Sequence, residues 1–144
     1  METPMNGFIF AVCAMILFGV APLFSKLGLS NLDPLVALTL RSGIITVLLV
    51  VFLAASGKVT ALTVAAPRDI MFIGLDGICG ALVGQLAYYY ALKTGELGKV
   101  APTVAAFPLV ALVLGLLVLG EKLTWGKALG ATLVVAGVAL IHYR

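Results

Sequence analysis

Residues 34–55 read PLVALTLRSGIITVLLVVFLAA, and Arg41 is the one charged residue in this stretch. A helix that rises about 1.5 Å per residue needs about 20 mainly apolar residues to cross roughly 30 Å of hydrocarbon. The strict alternation of apolar and polar residues that is typical of a membrane barrel strand is absent. The segment therefore predicts a transmembrane α-helix.

Four further stretches meet the same criterion. The predicted spans cover residues 7–29, 34–55, 70–92, 98–120 and 124–142. Hydrophobic residues make up 62% of the 144 positions and charged residues 10%, whereas a soluble domain carries roughly 25% charged residues. There is too little polar surface to cover a soluble globule, so we expect an all-α, multi-pass membrane protein with five spans in one domain over residues 1–144.

Helix start and stop signals lie between these spans, which supports the count independently of hydropathy. Asp33 is placed to act as an N-cap, with Pro34 at the first helical position. Gly95 follows the third predicted span and Gly120 ends the fourth, and Thr124 is placed to cap the fifth span.

Several function classes receive no support from the sequence. The nine Lys and Arg residues are spread singly, so no nucleic-acid partner is expected. Cys13, Cys79 and His142 form no metal-ligand spacing, and no phosphate-binding loop occurs, so neither a metal nor a cofactor is expected. No catalytic set of His, Ser and acidic residues lies within a span, which argues against an intramembrane enzyme.

An odd number of spans places the two termini on opposite faces of the membrane. Lys and Arg in short loops set the orientation, with the richer side cytoplasmic. The amino-terminal face holds four such residues and the other face three, or four if Lys26 reaches outward. Two interpretations of this balance stay open: small numbers fluctuate while the first helix dominates, or copies insert in both directions.

Charged side chains inside the predicted spans are the first candidates for a binding site, because charges at membrane depth are costly unless they face a protein interior or a cavity. Arg41 lies seven residues into the second span, and Lys26 lies near the end of the first on the same side. Lys26 has the alternative of extending to the headgroups. Asp76 lies six residues into the third span, which enters from the other face, so an inverted copy would place its Arg41 at a comparable height.

Other residues of the third span add polar and aromatic groups. Gln85 and Tyr89 are chosen as possible solute contacts among the neighbouring polar and aromatic positions. Gly77, Gly80, Gly84 and Tyr88 share one face at α-helical spacing, which more often marks a packing seam than a groove for solute.

Two prolines lie deep enough within spans to bend them. Pro22 in the first span and Pro108 in the fourth each remove a backbone donor, and we expect both to kink their helices.

The carboxyl-terminal half resembles a known family. Residues 90–93 (YALK), residues 100–102 (VAP) with Pro108, and residues 119–124 (LGEKLT) are similar to the EamA-type domain of the drug/metabolite transporter superfamily. The resemblance continues in the glycines of the last helix and, nearer the start, in residues 17–19 (LFG), where Phe18 replaces the usual tryptophan. It implies an α-helical transporter fold, of which typical members have ten helices in two inverted halves and this chain is one half.

The function that these features predict is secondary transport of small metabolites across the cell membrane, in bacteria the inner membrane, with lipid and solute as partners. An antiparallel homodimer would supply the second, inverted half. Lys26 and Arg41 would favour anionic or zwitterionic solutes. The alternative is an accessory membrane subunit that needs a different partner chain. Multidrug relatives with four helices use a glutamate in the first helix, but residues 7–29 contain no acidic residue, so that proton-coupled mechanism is not expected here.

Overall fold

The computed structural model describes residues 4–143, with side-chain surroundings given from residue 7 onward. Within this part of the chain, five helical stretches are long and apolar enough to cross a membrane. They are Gly7–Gly28, Pro34–Ala55, Pro67–Thr94, Leu97–Val118 and Trp125–His142. The prediction of an all-α membrane protein with five spans is therefore confirmed.

The first two spans are continuous helices, α1 (Pro4–Gly28) and α2 (Pro34–Ala55). Asp33 caps α2 as predicted, because its Oδ1 accepts a hydrogen bond of 2.8 Å from the Leu35 N–H. After α2 the chain turns at Gly57, whose φ of 68° lies in the left-handed region that glycine adopts without strain. A short helix, α3 (Val59–Thr63), lies in the connection to the third span. Pro22 lies inside α1, which continues through it as one helix.

The third span changes its helix type partway along. It consists of α4 (Pro67–Asp76), a π-helical segment (Gly77–Gly84) and α5 (Gln85–Thr94). In a π-helix each hydrogen bond reaches one residue further along the chain than in an α-helix, which changes the rotation per residue. The predicted face through Gly77, Gly80, Gly84 and Tyr88 assumed α-helical spacing, so that prediction is wrong in its periodicity.

Gly84 is the glycine of the π-helical segment at which a side chain would be crowded. A Cβ at this position would lie 3.0 Å from the carbonyl oxygen of Cys79, five residues earlier. That carbonyl belongs to the backbone and cannot rotate away, so a side chain at position 84 opposes the π-helical conformation. Gly74, one turn before the segment, has no atom within 4 Å of the equivalent position.

The fourth span is broken into α6 (Leu97–Val104) and α7 (Pro108–Val118). Pro108 has no N–H to donate to the carbonyl of Val104, and that carbonyl accepts from Phe107 instead, at 3.0 Å. The three residues before Pro108 form a tight turn, and α7 begins at the proline. The expected effect of Pro108 on its helix is therefore confirmed, as a break between two helices.

The fifth span is α8 (Trp125–His142), capped by Thr124, whose hydroxyl accepts from the Lys127 N–H at 3.3 Å. The chain divides into two compact units, one ending at Thr94 and the other beginning at Gly95. In the first unit α5 packs against both α1 and α2, and in the second α6 packs against α8. A single domain over residues 1–144 stays a prediction.

Most apolar side chains of the spans lie on the surface. Phe18 and Leu117 are each 77% exposed, and Trp125, at the start of α8, is 91% exposed. A soluble protein rarely leaves so much apolar surface uncovered. These surfaces suit contact with lipid, as a multi-pass membrane protein requires.

The Asp33 cap can be tested by substitution. We expect Asp33→Ala to destabilise the protein by about 1 kcal/mol, because the Leu35 N–H loses its acceptor. Asp33→Asn keeps a side-chain oxygen and serves as the control. Thermal unfolding in mild detergent measures the effect, and an equal loss of Tm in both variants would contradict the capping role.

Candidate functional site

The packed part of the first unit lies at one end of its three spans. Leu29, Pro34, Leu38, Tyr89 and Leu92 are the buried residues there, none more than 4% exposed. They come from the end of α1, the start of α2 and the end of α5. These three helix ends therefore form a closed plug of apolar side chains.

Two lysines tie the same helix ends together. Lys26, in the last turn of α1, donates from Nζ to the carbonyl oxygen of Leu92 in α5. Lys93, in the last turn of α5, donates from Nζ to the carbonyl of Leu32 between α1 and α2, at 2.9 Å. The Leu92 carbonyl lies in the last turn of α5, where carbonyls lack intrahelical donors and a cation also favours the helix dipole. Lys26 thus has a local role at the closed end, beside its predicted role toward solute.

The face of α2 that packs on α5 continues to Arg41. Pro34 and Leu38 are buried and Ala37 is half-buried, and Arg41 follows at the next position of this i, i+4, i+7 stripe. Its side chain is exposed because the packing ends one turn earlier. Arg41 therefore lies on the inward stripe of α2, about 10 Å along the helix from Pro34.

The inward face of α5 follows the same spacing. Leu92 and Tyr89 are buried, and Gln85, seven residues before Leu92, is half-buried. Gln85 lies about 10 Å along the helix from Leu92. Since Leu92 and Pro34 are both part of the plug, Gln85 and Arg41 lie at comparable depth, with Tyr89 and Leu38 below them.

Four of the five predicted site residues thus fall into two groups. Arg41 and Gln85 lie about 10 Å further into the span than the plug. Tyr89 is part of the plug, and Lys26 forms one of the two hydrogen bonds beside it. Asp76 ends α4, nine residues before Gln85, so it is not brought to Arg41 of the same chain. Within residues 4–143, neither Arg41 nor Asp76 forms a hydrogen bond or an ion pair.

Sequence reasoning missed the role of Lys93 and the inward placement of Ser25. Ser25 is half-buried on α1, one turn before the buried Leu29, and its hydroxyl donates to the Ala21 carbonyl at 3.3 Å. The spacing of four residues between Ser25 and Leu29 was a usable sequence signal for the inward placement of Ser25. No sequence signal identifies which carbonyl a lysine will reach.

In the second unit, the segment after α7 forms a clasp around Glu121. The Glu121 N–H donates to the Gly115 carbonyl at 3.0 Å, and the Glu121 carboxylate accepts from Lys127 Nζ at 2.7 Å. Gly120 makes the turn with a φ of 66°. The carboxylate also lies against the buried Gly115, where a Cβ would come within 3.3 Å of the Glu121 Cδ. The clasp therefore fixes the connection between α7 and α8.

Comparison with known proteins agrees with these features. The structure defines a multi-pass α-helical membrane protein. The chain belongs to the EamA-like transporter family, whose model matches residues 5–143. This confirms the resemblance to the EamA domain of the drug/metabolite transporter superfamily.

Two relatives carry transporter names. One is "Uncharacterized transporter in cobO 3'region" from Sinorhizobium sp., 30% identical over 118 residues, which cover 82% of this chain and 83% of that protein. The other is "Probable terminal-alkyne amino-acid exporter" from Streptantibioticus cattleyicolor, 33% identical over 78 residues, which cover 51% of this chain and 25% of the exporter. No solved structure matches the chain. The family and these names indicate a membrane transporter of small molecules rather than an enzyme.

The Glu121 clasp yields a prediction. We expect Gly115→Ala to give a lower Tm than Gly130→Ala, because the Glu121 carboxylate must move by a few tenths of an ångström to admit the added methyl group at 3.3 Å, whereas both helices gain equally from alanine. Gly130→Ala in α8, where no atom lies within 4 Å of the added Cβ, is the matched control. Thermal unfolding in detergent compares the two, and an equal change of Tm in both variants would contradict the close packing.

Proposed function

We propose that the chain is a secondary transporter of small metabolites that works by alternating access as an antiparallel homodimer. The observation that carries this proposal is the placement of Arg41 and Gln85 at one depth on inward stripes, directly above a closed apolar plug. Two polar side chains next to a closed apolar plug suit a solute site that is open to one side of the membrane only. An inverted second copy would provide the opposite half of the cavity.

The charge distribution supports a solute with a carboxylate or another anionic group. A guanidinium offers a planar set of donors that matches a carboxylate, and the Gln85 amide adds a neutral donor and acceptor. The Streptantibioticus relative is named as an amino-acid exporter, which is in line with a zwitterionic solute. Tyr89 would lie below the solute as part of the plug, and Lys26 would hold the helix ends that form the plug.

The depths of Arg41 and Asp76 support the antiparallel arrangement. Arg41 lies about 10 Å from the start of α2, and Asp76, nine residues after Pro67, lies about 14 Å from the start of the third span at the other face. An inverted copy therefore brings its Arg41 near the height of Asp76. Pairing across the dimer would lower the cost of placing both charges inside the membrane.

Transport and the role of Arg41 are tested together in proteoliposomes. We expect uptake of at least one member of a panel of radiolabelled amino acids and dicarboxylates, and a loss of about tenfold or more in Arg41→Gln. Arg68→Gln is the matched control, because Arg68 lies at the start of α4 with its guanidinium 5.7 Å from the Phe72 ring centre. Equal uptake by the chain and by empty liposomes across the panel would overturn transport of these solutes.

The proposed pairing is tested by exchange of the two charges. Arg41→Asp and Asp76→Arg are each expected to abolish uptake, because each leaves two like charges together, and the double variant should recover part of it. A double variant no more active than either single one, with all three inserted in the membrane, would contradict the pairing.

Orientation is tested by labelling from each side of the membrane. A cysteine is added at the carboxyl terminus of a Cys13→Ala, Cys79→Ala chain, and an impermeant maleimide is applied to intact and to inverted vesicles. Labelling in both preparations is expected, since an antiparallel homodimer needs copies in both orientations. Labelling in one preparation alone would remove this model. Native mass analysis of the complex would then show whether a different chain is the partner.

A further inference from the structure

The carboxyl-terminal part of the third span is held on two sides. Tyr89 and Leu92 of α5 are buried against α1 and α2, and Lys26 and Lys93 add hydrogen bonds across the same helix ends. To move α5 would expose these side chains and break both bonds. This part of the span is therefore fixed.

Within one chain, the amino-terminal part of the same span has no such support. Neither α4 nor the π-helical segment contributes a buried residue, and within positions 67–84 Gly77 alone is half-buried while the others are exposed. Low burial is characteristic of the elements of a protein that move at low cost. The two parts of the span therefore differ in how firmly they are held.

The junction between the two parts has the features of a hinge. Gly77, Gly80 and Gly84 lie in the π-helical segment, and glycine leaves the backbone more freedom than any other residue. π-helical turns are also sites of helix bending and are frequent at functional sites. At Gly84 the approach of the Cys79 carbonyl allows no side chain without a shift of the backbone. The segment thus combines an altered hydrogen-bond pattern with a position where any side chain would crowd the backbone.

We propose that the third span moves in two parts, with α5 fixed by Lys26 and Lys93 as positioning residues while α4 swings about Gly77–Gly84. The plug closes one side of Arg41 and Gln85, and α4 lies toward the other side. A swing of α4 therefore controls the access of solute to these two residues. The control of access rests on the proposed transport function, whereas the bending itself does not.

The bending is tested by distances between spin labels on the full chain in lipid nanodiscs, in a Cys13→Ala, Cys79→Ala background. Leu35→Cys, in the packed part of α2, paired with Ile73→Cys in α4 reports the part that moves. Leu35→Cys paired with Tyr90→Cys in α5 reports the fixed part, and all three native side chains are exposed. Labelled chains are diluted with unlabelled ones, so that distances between copies do not contribute.

We expect the distance distribution of the first pair to be at least about twice as wide as that of the second. Gly84→Ala should narrow the first distribution, because the added methyl group opposes the π-helical conformation, and Gly74→Ala should leave it unchanged. Lys26→Gln should widen the second distribution, and Lys26→Arg, which keeps a cationic donor, should not.

Equal widths for the two pairs in the native background would overturn the proposal, even if the glycine variants fail to fold. Widening of both pairs by Lys26→Gln would also overturn the positioning role, since it would indicate general loosening. If the widths differ as expected but no solute is transported, the bending stands and the proposed function fails.

Discussion

The structure depends on one constraint, that every backbone N–H and C=O inside hydrocarbon must find its partner within the protein. An unpaired backbone group in lipid costs several kcal/mol, which is why the spans are helical. Departures from the regular helix are then informative, because each one has to be compensated. In the π-helical segment of the third span, the donor and acceptor of a backbone hydrogen bond are five residues apart instead of four. In the turn before Pro108 they are three residues apart.

The same constraint explains the positions of the charged side chains that remain inside. Lys26 donates to a carbonyl in the last turn of α5 and Lys93 to a carbonyl of the connection between α1 and α2, so both charges are paired with backbone groups. Glu121 is held in a similar way by the Lys127 ammonium and its own N–H bond to Gly115. Arg41 has no such local partner among residues 4–143, although it lies on the inward stripe of α2. The proposed contact with solute would account for this cost.

Much of the fold was predictable from the sequence, because hydropathy and capping are local properties. The bounds of α2 agree at both ends, since Asp33 and Pro34 start the helix by their own chemistry. The π-helical segment was not predictable, because its glycines are equally compatible with an α-helix. The depth of Arg41 could be counted along the helix, whereas the bond from Lys26 to the Leu92 carbonyl depends on how α1 and α5 pack. Side-chain partners across helices are set by tertiary geometry, which a single sequence does not contain.

The break at Pro108 also divides the macrodipole of the fourth span. A continuous helix would carry its partial charges of about +0.5 and −0.5 only at the two membrane surfaces. Two shorter helices instead place the negative end of α6 next to the positive end of α7, 9 to 12 residues into a span of 22. That depth is near the centre of the bilayer. The two ends largely cancel at a distance, so only a molecule within a few ångströms of this turn experiences their field.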